Sequence, residues 1–325
     1  MSKVMYKDAL RDALIEEMTR DPSVFLLGED IGVYGGAFRV TEKLIDMFGE
    51  ERVRDTPISE EAITGVCIGA AIAGKRPVGE MMYEDWVGLT LDQFVNQASL
   101  LHYVYNGQVT IPMVMRMQGG ARASASAQHS KSLEAWYTHI PGIKVVMPSN
   151  AYDAKGLLKA AIRDDNPVVF IEHKLLYGTR AEVPEEDYVI EIGKGDIKRE
   201  GTDVTIVATS AMVIEALDAA KILEAEGISC EVVDPRTLIP LDKDIIRNSL
   251  AKTNRIVVVN EAWKTGSFAG EIAAIVAEEM FDLLDAPVVR LGALDMPIPY
   301  SPALEPLTVP NKDTIAEAVR KLMKE

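Results

Sequence analysis

Two adjacent carboxylates open the stretch of this chain best suited to chemistry. They are Glu60 and Glu61, in Asp55-Thr56-Pro57-Ile58-Ser59-Glu60-Glu61-Ala62-Ile63-Thr64-Gly65-Val66-Cys67-Ile68-Gly69-Ala70-Ala71-Ile72-Ala73-Gly74. Pro57 ends what precedes it, Ser59 takes the N-cap position, and both acids fall in the first turn of a predicted helix, where the dipole favours negative charge. Gly65, Gly69 and Ala73 recur every four residues, so one face carries almost no side chain. Glycine inside a helix costs about 1 kcal/mol relative to alanine. Such a face predicts close approach by another helix or a ligand. By residue type alone both acids serve the dipole equally; the glycines at 65 and 69, with Val66 and Ile68 between them, single out Glu60.

Other residues could do chemistry in looser settings. Glu29, in Gly28-Glu29-Asp30, ends a predicted strand; as a bare loop acid it needs no function. Trp86 in Tyr83-Glu84-Asp85-Trp86 reads equally as a core aromatic. His129, one of four histidines, sits in a loop rich in Gly, Ala and Ser at 119–132, where function concentrates. No histidine spacing suits a metal site of the His-Glu-x-x-His kind. The loop Gly32-Val33-Tyr34-Gly35-Gly36 lacks dinucleotide-binding spacing, and Glu29 and Asp30 beside it repel phosphate. Asp164-Asp165-Asn166-Pro167 is a turn by composition.

The elements that must position these groups alternate between strand and helix. An amphipathic helix over 1–20 precedes a strand at 24–27, and a helix near 41–48 precedes the central stretch. Strands follow at 77–82, 111–117, 144–147 and 168–171, with helices at 89–101 and 151–163 between them. From 179 to 201 the chain is charged and aperiodic, a linker or a pair of edge strands. A second series then runs strand 204–208, helix 212–225, strand 229–233, helix 242–251, strand 255–259, helix 266–279 and strand 288–291. A proline-rich tail leads to a last helix at 312–324. The reading is α/β, two doubly wound domains, at 1–185 and 201–325 with a linker at 186–200.

Composition narrows the partners. Lys and Arg number 34 against 50 Asp and Glu, a formal charge of −16, which argues against nucleic acid and anionic membranes and suits a basic protein partner. Cys67 and Cys230 suggest neither a disulfide framework nor a thiolate metal site. The longest apolar run, 62–74, is too short to span a bilayer, and residues 1–20 carry acids throughout, unlike a targeting peptide. The expected location is cytoplasmic.

Asp55-Thr56-Pro57-Ile58-Ser59-Glu60 and the helix after it resemble the pyrimidine-binding domain of thiamine-diphosphate enzymes. More closely, they are similar to the beta subunit of the heterotetrameric first component of 2-oxo acid dehydrogenase complexes. Ala127-Gln128-His129-Ser130, Gly142-Ile143-Lys144-Val145-Val146, Tyr152-Asp153-Ala154-Lys155-Gly156-Leu157, Ala161-Ile162-Arg163-Asp164-Asp165-Asn166-Pro167 and Glu261 extend the resemblance over nearly the whole chain.

The resemblance implies a pyrimidine-binding fold followed by a transketolase C-terminal-like domain. It implies that Glu60 hydrogen-bonds a ring nitrogen of the cofactor's aminopyrimidine, that Trp86 lies against that ring, and that Glu29 communicates between paired sites. By the same resemblance, His129 is expected to line the active-site channel as proton donor in acyl transfer to a lipoyl group. Carbonyls at Met113, Ala161, Ile162, Asp164 and Asn166 are implied to hold potassium. The diphosphate-binding Gly-Asp-Gly is absent; Gly195-Asp196-Ile197 lacks the second glycine. An alpha subunit is therefore expected to bring Mg²⁺ and the diphosphate, with the small-residue helix face as a contact surface. A beta–beta dimer and a lipoyl acyltransferase component complete the implied partners of an α₂β₂ assembly. Pyruvate is the favoured substrate. Glu172-His173-Lys174-Leu175-Leu176-Tyr177 and Trp136-Tyr137-Thr138-His139-Ile140-Pro141 also resemble acetoin dehydrogenase beta subunits. A split transketolase and a non-catalytic docking subunit are the remaining alternatives.

Overall fold

The structure, a computed structural model, describes residues 2–324. The chain up to Gly119, together with Trp136–Ile192, forms one compact unit; Gly120–Ala135 and the chain from Gly193 onward form the second.

In the first unit, β1 (Ser2–Met5), β2 (Val24–Gly28), β3 (Val53–Asp55), β4 (Arg76–Met81), β5 (Val114–Gly119), β6 (Lys144–Val146), β7 (Val168–His173) and β8 (Arg180–Val183) follow one another along the chain. Six of them form a parallel sheet in the order β6-β7-β5-β4-β2-β3. β1 and β8 pair antiparallel as a separate ribbon. Every residue of β5 and β7 is buried, as a parallel sheet covered on both faces requires. The helices Tyr6–Arg20 and Ala151–Arg163 pack together. The second of these starts at Asn150, whose side chain accepts the Asp153 N–H at 2.9 Å.

The second unit carries β9 (Asp196–Arg199), β10 (Val204–Ala208), β11 (Cys230–Asp234), β12 (Thr237–Ile239), β13 (Ile256–Trp263) and β14 (Val289–Ala293). Five of these order as β14-β13-β10-β11-β9, parallel except for the edge strand β9. β8 and β9 thus resolve the stretch 179–201 as edge strands. The helix Lys312–Leu322 opens with a capping box between Asn311 and Thr314.

Three local expectations differ. Of the helix expected over 1–20, Ser2–Met5 is instead strand β1, drawn into extended backbone by its pairing with β8, and the helix begins at Tyr6. Ser59 stands at the N-cap of Glu60–Ile72, but its side chain caps nothing; its carbonyl accepts the Ile63 N–H at 2.9 Å. The expected helix at 89–101 is Val87–Asp92, a π-helical stretch Gln93–Ala98 and a turn Leu101–Val104. Thr90, Phe94 and Ala98 are all buried at a spacing of four, and widened turns keep such a stripe on one face better than 3.6-residue turns.

Candidate active site

In an open parallel sheet, ligands gather beyond the carboxyl ends of the strands. Glu29 directly follows β2, Glu60 opens the helix after β3, and Trp86 closes the short turn Glu84–Trp86 after β4. The Thr56 N–H donates to the Gly28 carbonyl at 2.9 Å, tying the approach to Glu60 onto the end of β2. The Gly32 N–H donates to Asp55 Oδ1 at 2.7 Å, and a Cβ at Gly32 would lie 2.7 Å from that carboxylate. The glycine loop after Glu29 therefore grips the end of β3.

Glu29 and Glu60 are 6% and 7% exposed, close enough for charge to couple them. Burial raises the pKa of Glu29, and the charges of Glu60, Asp30 and Glu80 raise it further. Glu29 Oε1 has no hydrogen-bond partner among the described residues. Nor does any donor among them reach the Glu60 carboxyl; the Glu60 carbonyl, by contrast, accepts the Thr64 hydroxyl at 2.9 Å. Two buried acids with spare acceptor capacity suit a ligand that presents N–H groups or a protonated ring nitrogen, and an aminopyrimidine has that donor set. Trp86, half-buried, stands on the neighbouring strand end.

Beneath these acids lies an ion cluster that the pattern of motifs does not reveal. Arg116 of β5 donates to Glu172 of β7 at 2.6 and 2.9 Å and to Glu80 of β4 at 2.7 Å, and the Tyr177 hydroxyl donates to Glu172 at 2.5 Å. Burial opposes the Arg116 charge, but Glu172 and Glu80 outweigh it and hold its pKa above the ordinary value. Burial likewise pushes Glu172 up against the pull of Arg116. The available signal was one charged residue inside each of three apolar strands, with Glu80 and Arg116 in register. Glu84 is also buried, and a Cβ at Gly119 would stand 1.9 Å from its Oε2, so any larger residue at the end of β5 would have to displace the Glu84 carboxylate.

His129 belongs to the second unit. Its loop closes where the Gly120 N–H meets the Lys131 carbonyl at 2.9 Å, and its own N–H donates to the Ser126 carbonyl at 3.2 Å. Glu261, 7% exposed, accepts the Ala121 N–H at 2.9 Å and the Ser132 hydroxyl at 3.1 Å. The imidazole is half-buried.

The expected potassium ligands cluster at the end of Ala151–Arg163 and before β5 and β7. Arg76 donates to the Ile162 and Asp164 carbonyls at 3.1 and 2.9 Å, and the Met113 carbonyl accepts the Val168 N–H at 2.9 Å. Asp164 Oδ1 accepts the Asn166 backbone and side-chain N–H groups at 2.9 and 2.7 Å, and the Ala161 carbonyl accepts the Asp164 N–H at 3.3 Å. A guanidinium thus already serves two of these carbonyls. No group of three His, Cys, Asp or Glu side chains among the described residues is arranged to hold a metal ion. Asp196 is ion-paired with Lys198 at 2.8 Å and Arg236 at 3.1 Å. No helix among the described residues is long and apolar enough to cross a membrane.

The small-residue face of Glu60–Ile72 is open. A Cβ at Gly69 would meet nothing within 4 Å, and Ile58, Val66 and Ile72 are 79%, 53% and 49% exposed. Beside it lies a largely apolar cavity of about 740 Å³, lined in part by Phe25, Leu27, Pro57, Ala62 and Val66.

Residues 2–180 match the transketolase pyrimidine-binding domain family, and residues 193–315 the transketolase C-terminal domain family. The chain is 48% identical to a mitochondrial pyruvate dehydrogenase E1 component subunit beta-2 of Oryza sativa, over 97% of this chain and 85% of the relative. It is 47% identical to the 2-oxoisovalerate dehydrogenase subunit beta of Bacillus subtilis, over 99% of both. A solved split-gene transketolase, described as an inactive β4 tetramer, superposes with a TM-score of 0.80 at 25% identity, over 99% of this chain and 98% of that one.

Proposed function

The chain belongs to the family of beta subunits of 2-oxo acid dehydrogenase first components, and from that premise we propose that its acids at the strand ends form the pyrimidine half of a thiamine-diphosphate site. With an alpha subunit, the assembly oxidatively decarboxylates pyruvate and passes the acyl group to a lipoyl arm. The observation that carries this reading is a buried Glu60 carboxyl that no donor among the described residues reaches, near a Glu29 whose Oε1 also has no hydrogen-bond partner among them.

Thiamine diphosphate, when bound, supplies the carbanion-stabilising chemistry of decarboxylation. Glu60 would hold a proton at a nitrogen of the pyrimidine ring, and Trp86 would flank that ring. Glu29 takes up a proton more readily than an ordinary glutamate, through burial and then the charges of Glu60, Asp30 and Glu80. His129 donates a proton as the acyl group moves to the lipoyl sulfur. The ion pairs of Asp196 with Lys198 and Arg236 support the reading that the alpha subunit would hold Mg²⁺ and the diphosphate. Potassium at the carbonyls of 161–166 would share them with Arg76. The open face of Glu60–Ile72 is the surface that the alpha subunit covers; the second unit provides the beta–beta contact and docks the basic subunit-binding region of the acyltransferase component.

Reconstitution with the cognate alpha subunit, followed by turnover on pyruvate, 2-oxoisovalerate and acetoin, tests the reading. Pyruvate should give the highest kcat/KM. A higher value for 2-oxoisovalerate moves the chain to the branched-chain group, and activity on acetoin alone bears out the likeness of 172–177 and 136–141 to acetoin dehydrogenases. Unchanged turnover in Glu60→Gln would leave a docking subunit.

A further inference from the structure

The loop bearing His129 has an unusual backbone. Gly120, Arg122, Ser124 and Ser126 have φ of 94°, 65°, 49° and 70°, so every second residue from 120 to 126 is left-handed, and three of the four are not glycine. L residues leave that conformation readily unless something holds them in it. Alternation of this kind also turns backbone N–H groups toward a common point, a concavity that binds anions.

In this chain the concavity is filled from within. Glu305, 1% exposed, accepts the Arg122 N–H on Oε1 at 2.6 Å and the Ser124 N–H on Oε2 at 2.9 Å, with the Ser124 hydroxyl at 3.3 Å. The Arg122 side chain is held separately, donating to Glu215 Oε1 at 2.7 Å, and Glu215 Oε2 accepts the Lys312 N–H at 2.7 Å. Ala121 packs in a small core with Ala293, Ile298, Val309 and Trp263, which fixes the loop's neck and the segment carrying Glu305 to the same support. The neck is therefore anchored by apolar packing, while the backbone N–H groups of Arg122 and Ser124 beyond it are both held by one carboxylate.

We infer that Glu305 is a positioning residue: its carboxylate occupies the N–H concavity at 122–124 and so keeps the His129 loop in its working shape. The inference rests on the proposed role of His129 for its catalytic consequence, but not for the anchoring itself. Glu305→Ala opens the concavity, and a small carboxylate such as formate can refill it.

The test uses the full chain, alone and with the alpha subunit. Trypsin cleavage after Arg122 and Lys131, followed by mass spectrometry, should accelerate about tenfold or more in Glu305→Ala, as expected for the loss of hydrogen bonds to a charged group. Added formate should slow it again, a rescue that a general loss of packing would not show. Cleavage at the wild-type rate, or no response to formate, overturns the inference. If Glu305→Ala does not fold, Glu305→Gln carries the same test, because its amide turns an N–H toward one of the two donors; unchanged cleavage there also overturns it. In the reconstituted complex, acyl transfer to the lipoyl arm should fall about tenfold or more relative to decarboxylation read with an artificial electron acceptor. Faster cleavage with unchanged transfer keeps the anchor and removes His129 from the chemistry.

Discussion

At the scale of single residues, the site is two buried acids with different environments. Replacing Glu60 by glutamine keeps shape and hydrogen-bonding reach but removes the titratable proton. Turnover of the reconstituted complex should fall by about 100-fold or more, the range expected for loss of a general acid–base group, while the melting temperature of the chain stays within a few degrees. Turnover within a factor of three of wild type would contradict the role. Glu29 gives a prediction in pH. Its folded pKa lies above its ordinary value because of burial and then the Glu60, Asp30 and Glu80 charges. The folded state thus binds the proton more tightly than the unfolded state, and Glu29 costs stability as pH rises from the ordinary glutamate pKa through the raised one. Glu29→Gln should therefore melt roughly 1–4 °C higher than wild type at pH 7. The gap should close near pH 4, where both states are protonated; scanning calorimetry across that range reads the difference.

At the scale of elements, three neighbouring strands share one buried cluster. Arg116→Met strands Glu80 and Glu172 in the interior and should destabilise the chain by about 3–5 kcal/mol. Adding Glu80→Leu, Glu172→Leu and Tyr177→Phe should recover most of that loss, since apolar groups of similar volume need no partner and the hydroxyl that Glu172 now accepts is removed with it; denaturant unfolding of the two variants decides it. The strands themselves were legible because β5 and β7 open on short apolar, β-prone stretches, and Glu60 because its helix pairs an acid mouth with a small face. The Arg116 cluster was not, because a lone charge in an apolar strand shows its partners only once register is known. Glu305 was hidden for a different reason: it acts on backbone N–H groups about 180 residues away, and backbone donors leave no mark on residue type. The π-helical stretch at Gln93–Ala98 escaped notice because a spacing of four lies close to the ordinary helical period.

At the scale of the whole molecule, the chain presents an apolar face with no partner among its own described residues and a strongly negative overall charge. Gly69→Leu tests the face: nothing lies within 4 Å of a Cβ there. The substitution should leave the isolated chain as stable as wild type or up to about 1 kcal/mol more stable through better helix propensity. It should abolish assembly with the alpha subunit, as read by size-exclusion chromatography with light scattering. The charge of −16 predicts that binding to a basic acyltransferase region slows steeply as salt is added. The division into two units carries an evolutionary corollary. Because Gly120–Ala135 belongs to the second unit yet is encoded in the middle of the first, a recombination breakpoint near residue 193 would give a C-terminal fragment in which the carboxylates of Glu261 and Glu305 lose the backbone donors they now serve. Gene fission at that junction would therefore cost the C-terminal fragment these hydrogen bonds to Glu261 and Glu305.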